Sequence, residues 1–473
     1  MKVLLVNPPA KRMVRSILPA EVEAERGLFP PLGVLYLAAS LRGLADVTVH
    51  VIDAQAEGLA ADDVALRVIE HEYDVVGVTA LTFTLVDAMD VALAVKAARP
   101  GTVVIAGGPH SHIFPEATLG LGPFDAVCRG EGELSLRSLI AGWPGTRDDP
   151  PPGIWWRGGK KGEPDAAPVI EALDGLPFPA RRLSRVELYH SVLSGLRPIT
   201  TMMSSRGCPF GCVFCDRPHL GKRFRPRSAT NVVDEMEEAA GLGIKEIVFY
   251  DDTFTVDRER VRQIAELILT RGLRVAWDVR ARVSDLEADD YKLCRRAGMT
   301  RVHFGVESGD PELLKSLRKG ITIGQAREAF KWAREAGLET LAYFMAGLPG
   351  ETGETMQRTL ELAIELSPDY AHFSVLIPFP GTPVYQTGLD RGIIRSDVWS
   401  EFAAAPRPEF TPPVWEENLN KAEILAGLAR MYRRFYRQPR VLARRIKRAG
   451  SVAGLARGAR LGLRILFMRS GRP

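Results

Sequence analysis

The chain has 473 residues, 46% apolar and 25% charged, the balance of an ordinary globular protein with room for two or three domains. Five cysteines in so long a chain, three of them in one short segment, exclude a secreted disulfide framework and point to a metal or redox site in a reducing compartment. The net charge of +4 hides an asymmetry: from Lys421 onward fifteen Lys or Arg face one acid, Glu423, so this tail carries +14 and residues 1–420 carry −10.

Residues 1–143 alternate short apolar runs with helix-length patterns. KVLLV, VTVHVID, YDVVGVTAL, TVVIAGG and FDAVC read as strands, with LGVLYLAASLRGL and LVDAMDVALAVKAAR among the helices between them. This pattern predicts βαβ units and an α/β fold, here a small doubly wound, Rossmann-like parallel sheet with ligand space beyond the carboxyl ends of its strands. The opening MKVLLVNPPA has too short an apolar run for a secretion signal, and no run is long enough for a spanning helix. Residues 144–195 read as a linker: PGTRDDPPPG is a loop, GIWWRGGKKGEP a hairpin turning at Gly158-Gly159, and LDGLPFPARR extended.

Residues 196–395 carry a second series. PITTMMSS, EIVFYDD, RVAWDVRARV, RVHFGVES, TLAYFMAGLP and YAHFSVLIP read as six strands with helices between them, which predicts a partial (βα)6 TIM-type barrel. Strand alternation puts Asp278, Arg280 and Arg282 on one face and Val275, Trp277 and Val279 on the other. The polar face is expected to point inward with His303, Glu307, His372 and Ser374. Of the inward residues, His303, Tyr343, His372 and Ser374 are candidates for substrate contact. Residues 396–473 form a basic, mainly helical C-terminal region.

After the first of these strands the chain reads Ser204-Ser-Arg-Gly-Cys208-Pro-Phe-Gly-Cys212-Val-Phe-Cys215, a C-x3-C-x2-C spacing. Structural zinc takes four ligands, and His219 is the one nearby candidate to join the cysteines, so a Cys3His zinc site is the rival reading. Three thiolates on a four-iron cluster would leave one iron open to a substrate or cofactor. Cys128 and Cys294 read as small apolar fillers.

This spacing, just after the first strand of a partial barrel, resembles the radical S-adenosylmethionine superfamily. The resemblance implies a 4Fe-4S cluster on Cys208, Cys212 and Cys215 that cleaves S-adenosylmethionine to a 5′-deoxyadenosyl radical, fed by an external electron donor such as flavodoxin or ferredoxin. It also implies S-adenosylmethionine contacts: Asp251 and Asp252 for the amino group, Arg280 or Arg282 for the carboxylate, Glu307 and Ser308 for the ribose. Phe214, with Gly347, Pro349 and Gly350 of MAGLPGET, would lie near the adenine. Asp-Asp-Thr-Phe replaces the usual Gly-Gly-Glu, as in one cobalamin-associated branch. Asp252 as a helix cap and Arg280 as a partner of Asp278 are the plainer alternatives.

The first domain resembles a cobalamin-binding domain. Thr79-Ala80-Leu81 and, 25 residues after Leu81, Gly107-Gly108 match the family's S-x-L and G-G. PPLG (Pro30 to Gly33), GGPH (through Pro109 and His110) and RGEGE (Arg129 to Glu133, including Gly130 and Glu131) also look like that branch. No D-x-H-x-x-G occurs in residues 1–143. The resemblance therefore implies base-off cobalamin without a motif histidine ligand, and His110 and His112 read as loop residues. No G-x-G-x-x-G follows the first strand, which argues against a dinucleotide site. A plain nucleotide-binding fold and a domain that has lost its corrinoid remain the alternatives.

The whole order resembles, over residues 1–395, the cobalamin-dependent radical S-adenosylmethionine class. The expected function is methylation of an unactivated carbon in a small-molecule, lipid or pigment substrate. Radical oxidative cyclisation, as in the anaerobic cyclase of chlorophyll synthesis or hopanoid-modifying relatives, is the first alternative; a non-catalytic corrinoid or iron–sulfur carrier or sensor is the second. The expected location is cytoplasmic. The basic tail is expected to meet the anionic inner face of a membrane, with a helix packed back on the barrel as its rival. It lacks any RNA-binding module, so nucleic acid is disfavoured.

Overall fold

The computed structural model describes residues 1–15, 17, 27–158, 167–216 and 220–448. His219, the second arm of the expected hairpin and the tail beyond Arg448 lie outside the described residues. The first sheet contains β1 (Lys2–Asn7), β2 (Thr48–Asp53), β3 (Val75–Thr79), β4 (Val103–Gly107), β5 (Ala126–Cys128) and β6 (Ile154–Trp156) in the order β2-β1-β3-β4-β5-β6. The first five are parallel, and β6 runs antiparallel to β5. Both faces are covered: Leu4, Val6, Val76 and Val78 pack on one side, and Val3, Leu5, Val75 and Ile105 on the other. Successive side chains of a strand alternate faces, so continuous apolar runs are what a sheet buried on both sides requires. Strand β6 comes from the segment read as a linker. Ile154 and Trp155 are buried against the sheet edge, which gives this apolar stretch a partner in β5.

The second sheet contains β7 (Ile199–Met202), β10 (Glu246–Phe249), β11 (Ala276–Ala281), β12 (Met299–Glu307), β13 (Glu339–Ala346) and β14 (Tyr370–Val375). All neighbours are parallel and follow chain order from β7 to β14, the topology of the predicted six-unit partial barrel. Trp277 and Val279 pack outward into a core shared with the surrounding helices, as their parity predicts. Two short strands, β8 (Ser205–Arg206) and β9 (Arg225–Pro226), pair antiparallel at the two ends of the cysteine loop. The last barrel strand is capped by the helix Lys421–Tyr436. The Tyr432 hydroxyl accepts from the Phe373 N–H at 3.2 Å and donates to its carbonyl at 2.8 Å, and Tyr436 does the same for Ala371. The start of the basic tail is thus a core element packed on the barrel.

The carboxyl ends of the two sheets meet. The Phe29 ring lies 5.6 Å from Tyr250, just past β10, and the Tyr189 hydroxyl donates to Asp53 at the end of β2 across 3.0 Å. Phe83, after β3, lies 6.1 Å from Phe379, after β14. The buried Arg181, from the expected linker, pairs at 2.5 Å with the equally buried Glu235. The segment between the sheets is therefore pinned to both.

Candidate active site

The cysteine loop follows β7 and β8. Asp251, at the end of β10 and fully buried, anchors its entrance: its carboxylate accepts from Ser204 N–H (2.7 Å), Ser204 Oγ (2.6 Å) and Ser205 Oγ (2.5 Å). Gly207 sits at φ +78°, and a Cβ there would run into the Arg223 carbonyl, so only glycine lets the loop fold back on its own exit. Cys208 and Cys212 are buried and Cys215 is partly exposed; none of the three is in a disulfide. Cys208 Sγ lies 3.7 Å from Thr253 Oγ1, and Arg282 places Nη1 4.0 Å from Cys212 Sγ. Arg282 also covers the Phe210 ring at 3.7 Å and donates to the Lys319 carbonyl.

Among the described residues no three His, Cys, Asp or Glu side chains stand close enough to ligate one metal ion directly. Fit is therefore judged on donor chemistry and surroundings. Three thiols on one loop, at the carboxyl end of a barrel strand and beside a buried arginine able to offset thiolate charge, suit an iron–sulfur cluster.

The other sequence candidates separate into two groups. Asp252 is exposed beside the loop, and Arg280 is partly buried, donating to the Phe249 carbonyl at 2.9 Å with its guanidinium 4.4 Å from the Tyr250 ring. Asp251 has a different employment from the one expected, since it holds Ser204 and Ser205. Ser308 is also fully buried: its hydroxyl lies 3.3 Å from Thr359 Oγ1 and accepts from Asp310 N–H, which ties down a loop. Glu307, at φ +72° after an irregularity in β12, pairs with Lys319 at 2.7 Å. Phe214 and Pro349 are partly exposed. Gly347 and Gly350 both have positive φ, and Gly347 donates to Glu351 while Gly350 donates to Glu417.

Inside the barrel the expected inward side chains form a chain. Arg301 Nη1 lies 3.1 Å from Asp278, and His303 lies between Asp278 at 3.5 Å and the Tyr343 hydroxyl at 3.1 Å. The Tyr343 ring lies 5.7 Å from His372, whose Nδ1 is 3.3 Å from the Tyr432 hydroxyl. Burial pulls the His303 pKa below its ordinary value, against the opposing pull of the Asp278 carboxylate. Burial pushes the Asp278 carboxyl up, but His303, Arg301 and Arg280 outweigh it and hold the group below its ordinary range. Arg280 thus acts on Asp278 only at a distance, and the arginine paired directly with the Asp278 carboxylate is Arg301. Ser374 lies along the same wall, donating weakly to the Phe344 carbonyl at 3.4 Å.

In the first sheet, Thr79, Gly107 and Gly108 gather at two adjacent strand ends. Gly108 has φ +96°, and a Cβ there would meet Thr79 Oγ1 at 2.9 Å and the Ala80 carbonyl at 3.0 Å. Ala80 is buried, whereas Leu81 is 46% exposed, an apolar side chain left at the carboxyl end of the sheet. Glycines and small side chains at these strand ends, beside the exposed Leu81, suit the approach of a corrinoid tail. Pro109 starts a short helix, and His110 is fully buried beneath it, 3.1 Å from Thr82 Oγ1, with its pKa lowered by burial to about 4. Gly130 has φ +95° and lies against Ala167. Glu131 is buried in an ion cluster: it pairs with Arg225 and lies 3.4 Å from Arg206, while Glu133 binds Arg206 at 2.5 Å. Sequence reasoning singled out the acids of RGEGE but missed Arg206 and Arg225, and also Thr253 and Lys319. Arg206 stands next to the Gly207-Cys208 turn, and that proximity was the only local signal.

Comparison with known proteins agrees with this geometry. The model of the radical SAM superfamily matches residues 202–363, and that of the B12 binding domain matches residues 23–140. A protein of Pyrococcus horikoshii named as an uncharacterized methyltransferase is 34% identical over 453 residues, covering 94% of this chain and 95% of its own. The anaerobic magnesium-protoporphyrin IX monomethyl ester cyclase of Cereibacter sphaeroides is 29% identical, covering 87% of this chain and 67% of its own. Among solved structures, the cobalamin-dependent S-adenosylmethionine radical enzyme OxsB superposes with a TM-score of 0.73 at 18% identity, over 97% of this chain and 70% of that one. The radical S-adenosylmethionine methyltransferase TsrM of Kitasatospora setae gives 0.66 at 20%, over 83% and 75%. Likeness at that identity speaks for the shared fold.

Proposed function

This chain belongs to the cobalamin-dependent radical S-adenosylmethionine family, and from that premise we propose that it is a methyltransferase acting on an unactivated carbon of a small organic substrate, with lipids and pigments among the candidate classes. The observation that carries the reading is the meeting of two carboxyl-terminal faces. One bears the three-thiol loop; the other bears the small residues Thr79, Gly107 and Gly108 at adjacent strand ends. Bound there, the cluster would supply the electron that cleaves S-adenosylmethionine, and the corrinoid would supply the methyl group.

The chain's own residues would act as follows. Cys208, Cys212 and Cys215 would hold the cluster as thiolates, with Arg282 offsetting their charge. Asp252 and Arg280 would receive the amino and carboxylate groups of S-adenosylmethionine, with Asp251 bracing the loop beneath them. Gly347, Pro349 and Phe214 would border the adenine. Leu81 and Gly107-Gly108 would take the corrinoid, base-off, since residues 1–143 carry no D-x-H-x-x-G motif. His303, Tyr343, His372 and Ser374 would line the substrate space, with His303 held by Asp278 and the Tyr343 hydroxyl.

The test is anaerobic reconstitution with iron, sulfide and hydroxocobalamin, then a search for 5′-deoxyadenosine and S-adenosylhomocysteine. Both should form, and a labelled methyl group should enter the product. A ring-closed or oxidised product without label would make cyclisation the activity. No 5′-deoxyadenosine at all would sink the radical assignment.

No helix among the described residues is long and apolar enough to cross a membrane. Contact of the tail with an anionic bilayer is proposed for residues beyond Arg448, because Lys421–Tyr436 belongs to the core. Flotation of the full chain with phosphatidylglycerol vesicles should exceed that of a chain ending at Arg448; equal binding would end the idea.

A further inference from the structure

The cysteine loop reaches the surface. Pro209 and Gly211 are exposed, and Cys215 is more accessible than Cys208 or Cys212. Two neighbouring segments are hydrogen-bonded to the loop. Cys208 N–H donates to the Gly221 carbonyl at 3.3 Å, and Val213 N–H donates to the Leu317 carbonyl at 3.1 Å. Next to those two residues along the chain stand Lys222 and Arg318, with Lys315 one turn before Arg318 and joined to it by a 3.0 Å backbone bond. All three cations are exposed, and none is in an ion pair among the described residues. Arg223 is 76% exposed and pairs with the surface residue Glu171, a contact worth little in water. Residues 1–420 carry −10, so these cations gather against the charge of the body that bears them.

A cluster held by these thiols receives electrons one at a time, and only from a donor that comes close to the loop. We propose that Lys222, Lys315 and Arg318, assisted by Arg223, form the docking surface for an acidic one-electron carrier protein that holds a flavin or an iron–sulfur centre. The inference rests on the reading of the three cysteines as cluster ligands. In the step served by this surface the carrier loses one electron and the cluster gains one; no bond forms or breaks. Charge complementarity of this kind raises the encounter rate and is screened by salt, and electron-transfer contacts are small and short-lived, which suits scattered surface cations better than an apolar patch. Glu312 shares the helix of Lys315, and Glu171, from a separate stretch of chain, pairs with Arg223.

The experiment uses the reconstituted full chain and its K222E/K315E/R318E variant, with a reduced acidic flavodoxin as the probe. Cluster reduction is followed by stopped-flow absorbance, with dithionite as a small reductant that needs no docking. At low salt the variant should be reduced by flavodoxin at least about tenfold more slowly. Salt should slow the wild type and, by screening the reversed charges, not slow the variant, and dithionite should reduce both alike. Equal flavodoxin rates for the two proteins overturn the proposal. Binding of phosphatidylglycerol vesicles that is lost in the variant while its flavodoxin rate is unchanged also overturns it, by assigning the patch to lipid. Should the reversal variant assemble no cluster, K222Q/K315Q/R318Q takes its place. Titration with oxidised flavodoxin needs no cluster, so it reports docking even where failure to reconstitute defeats the reading of the cysteines themselves.

Discussion

A carboxyl group buried without a cation must either lose its charge or be gripped by backbone donors, and Glu351 does both. Its side chain accepts from the N–H groups of Gly347 and Leu348, yet burial pushes its pKa up to about 7. A carboxyl whose folded pKa is raised contributes stability that is fully present below its unfolded pKa near 4.5 and is lost as pH rises through 7. Glu351→Gln keeps the acceptor and removes the titration. Urea unfolding of the apoprotein from pH 4.5 to 8 should show the variant gaining on the wild type by on the order of 3 kcal/mol across that window, with no further change beyond it. At Gly108 the constraint is steric. Gly108→Ala should cost about 1–3 kcal/mol and weaken uptake of hydroxocobalamin at least tenfold by absorbance titration, while iron content stays unchanged.

At the scale of elements, β14 is the open edge of a barrel that stops at six strands, and open edges invite unwanted pairing. Tyr432 and Tyr436 satisfy the exposed backbone with hydroxyls, where a seventh strand would have used its own main chain. Tyr432→Phe leaves a buried N–H and carbonyl unpaired, so unfolding free energy should drop by about 1–3 kcal/mol. The Tyr432→Phe, Tyr436→Phe double variant should also aggregate faster by light scattering. The same reasoning explains why the segment after residue 143 was read as a linker. The run Ile-Trp-Trp reads as the first arm of a local hairpin, and only the free edge of β5 joins it to the first sheet.

For the whole molecule the decisive contacts join the two sheets. Glu131 and Glu133 come from the end of the first sheet, and Arg206 and Arg225 frame the cysteine loop of the second, all of them buried. A buried charge left without its partner costs about 3–5 kcal/mol. Arg206→Met should therefore destabilise the chain by that order in urea, and pairing it with Glu133→Gln should recover a large part of the loss. If the loss were the same in both, Arg206 would contribute through packing on Tyr36 and not through charge.

The cysteine spacing, the alternation of Asp278, Arg280 and Arg282 with Val275, Trp277 and Val279, and the succession of strands and helices were legible in one dimension, because each depends on neighbours a few residues apart. The roles of Asp251, Ser308 and Glu131 were not. Each is a polar side chain in the right place for a ligand, and what decides its role is which distant donors already satisfy it: Ser204 and Ser205, Thr359, Arg206 and Arg225. The sequence by itself determined that a thiolate loop would stand at the mouth of a partial barrel behind a doubly wound sheet. Only the tertiary structure decided which charges around that loop are spent on holding the two sheets together and which remain at the surface, because satisfaction of a buried charge is a property of the packed neighbours and not of the chain that carries it.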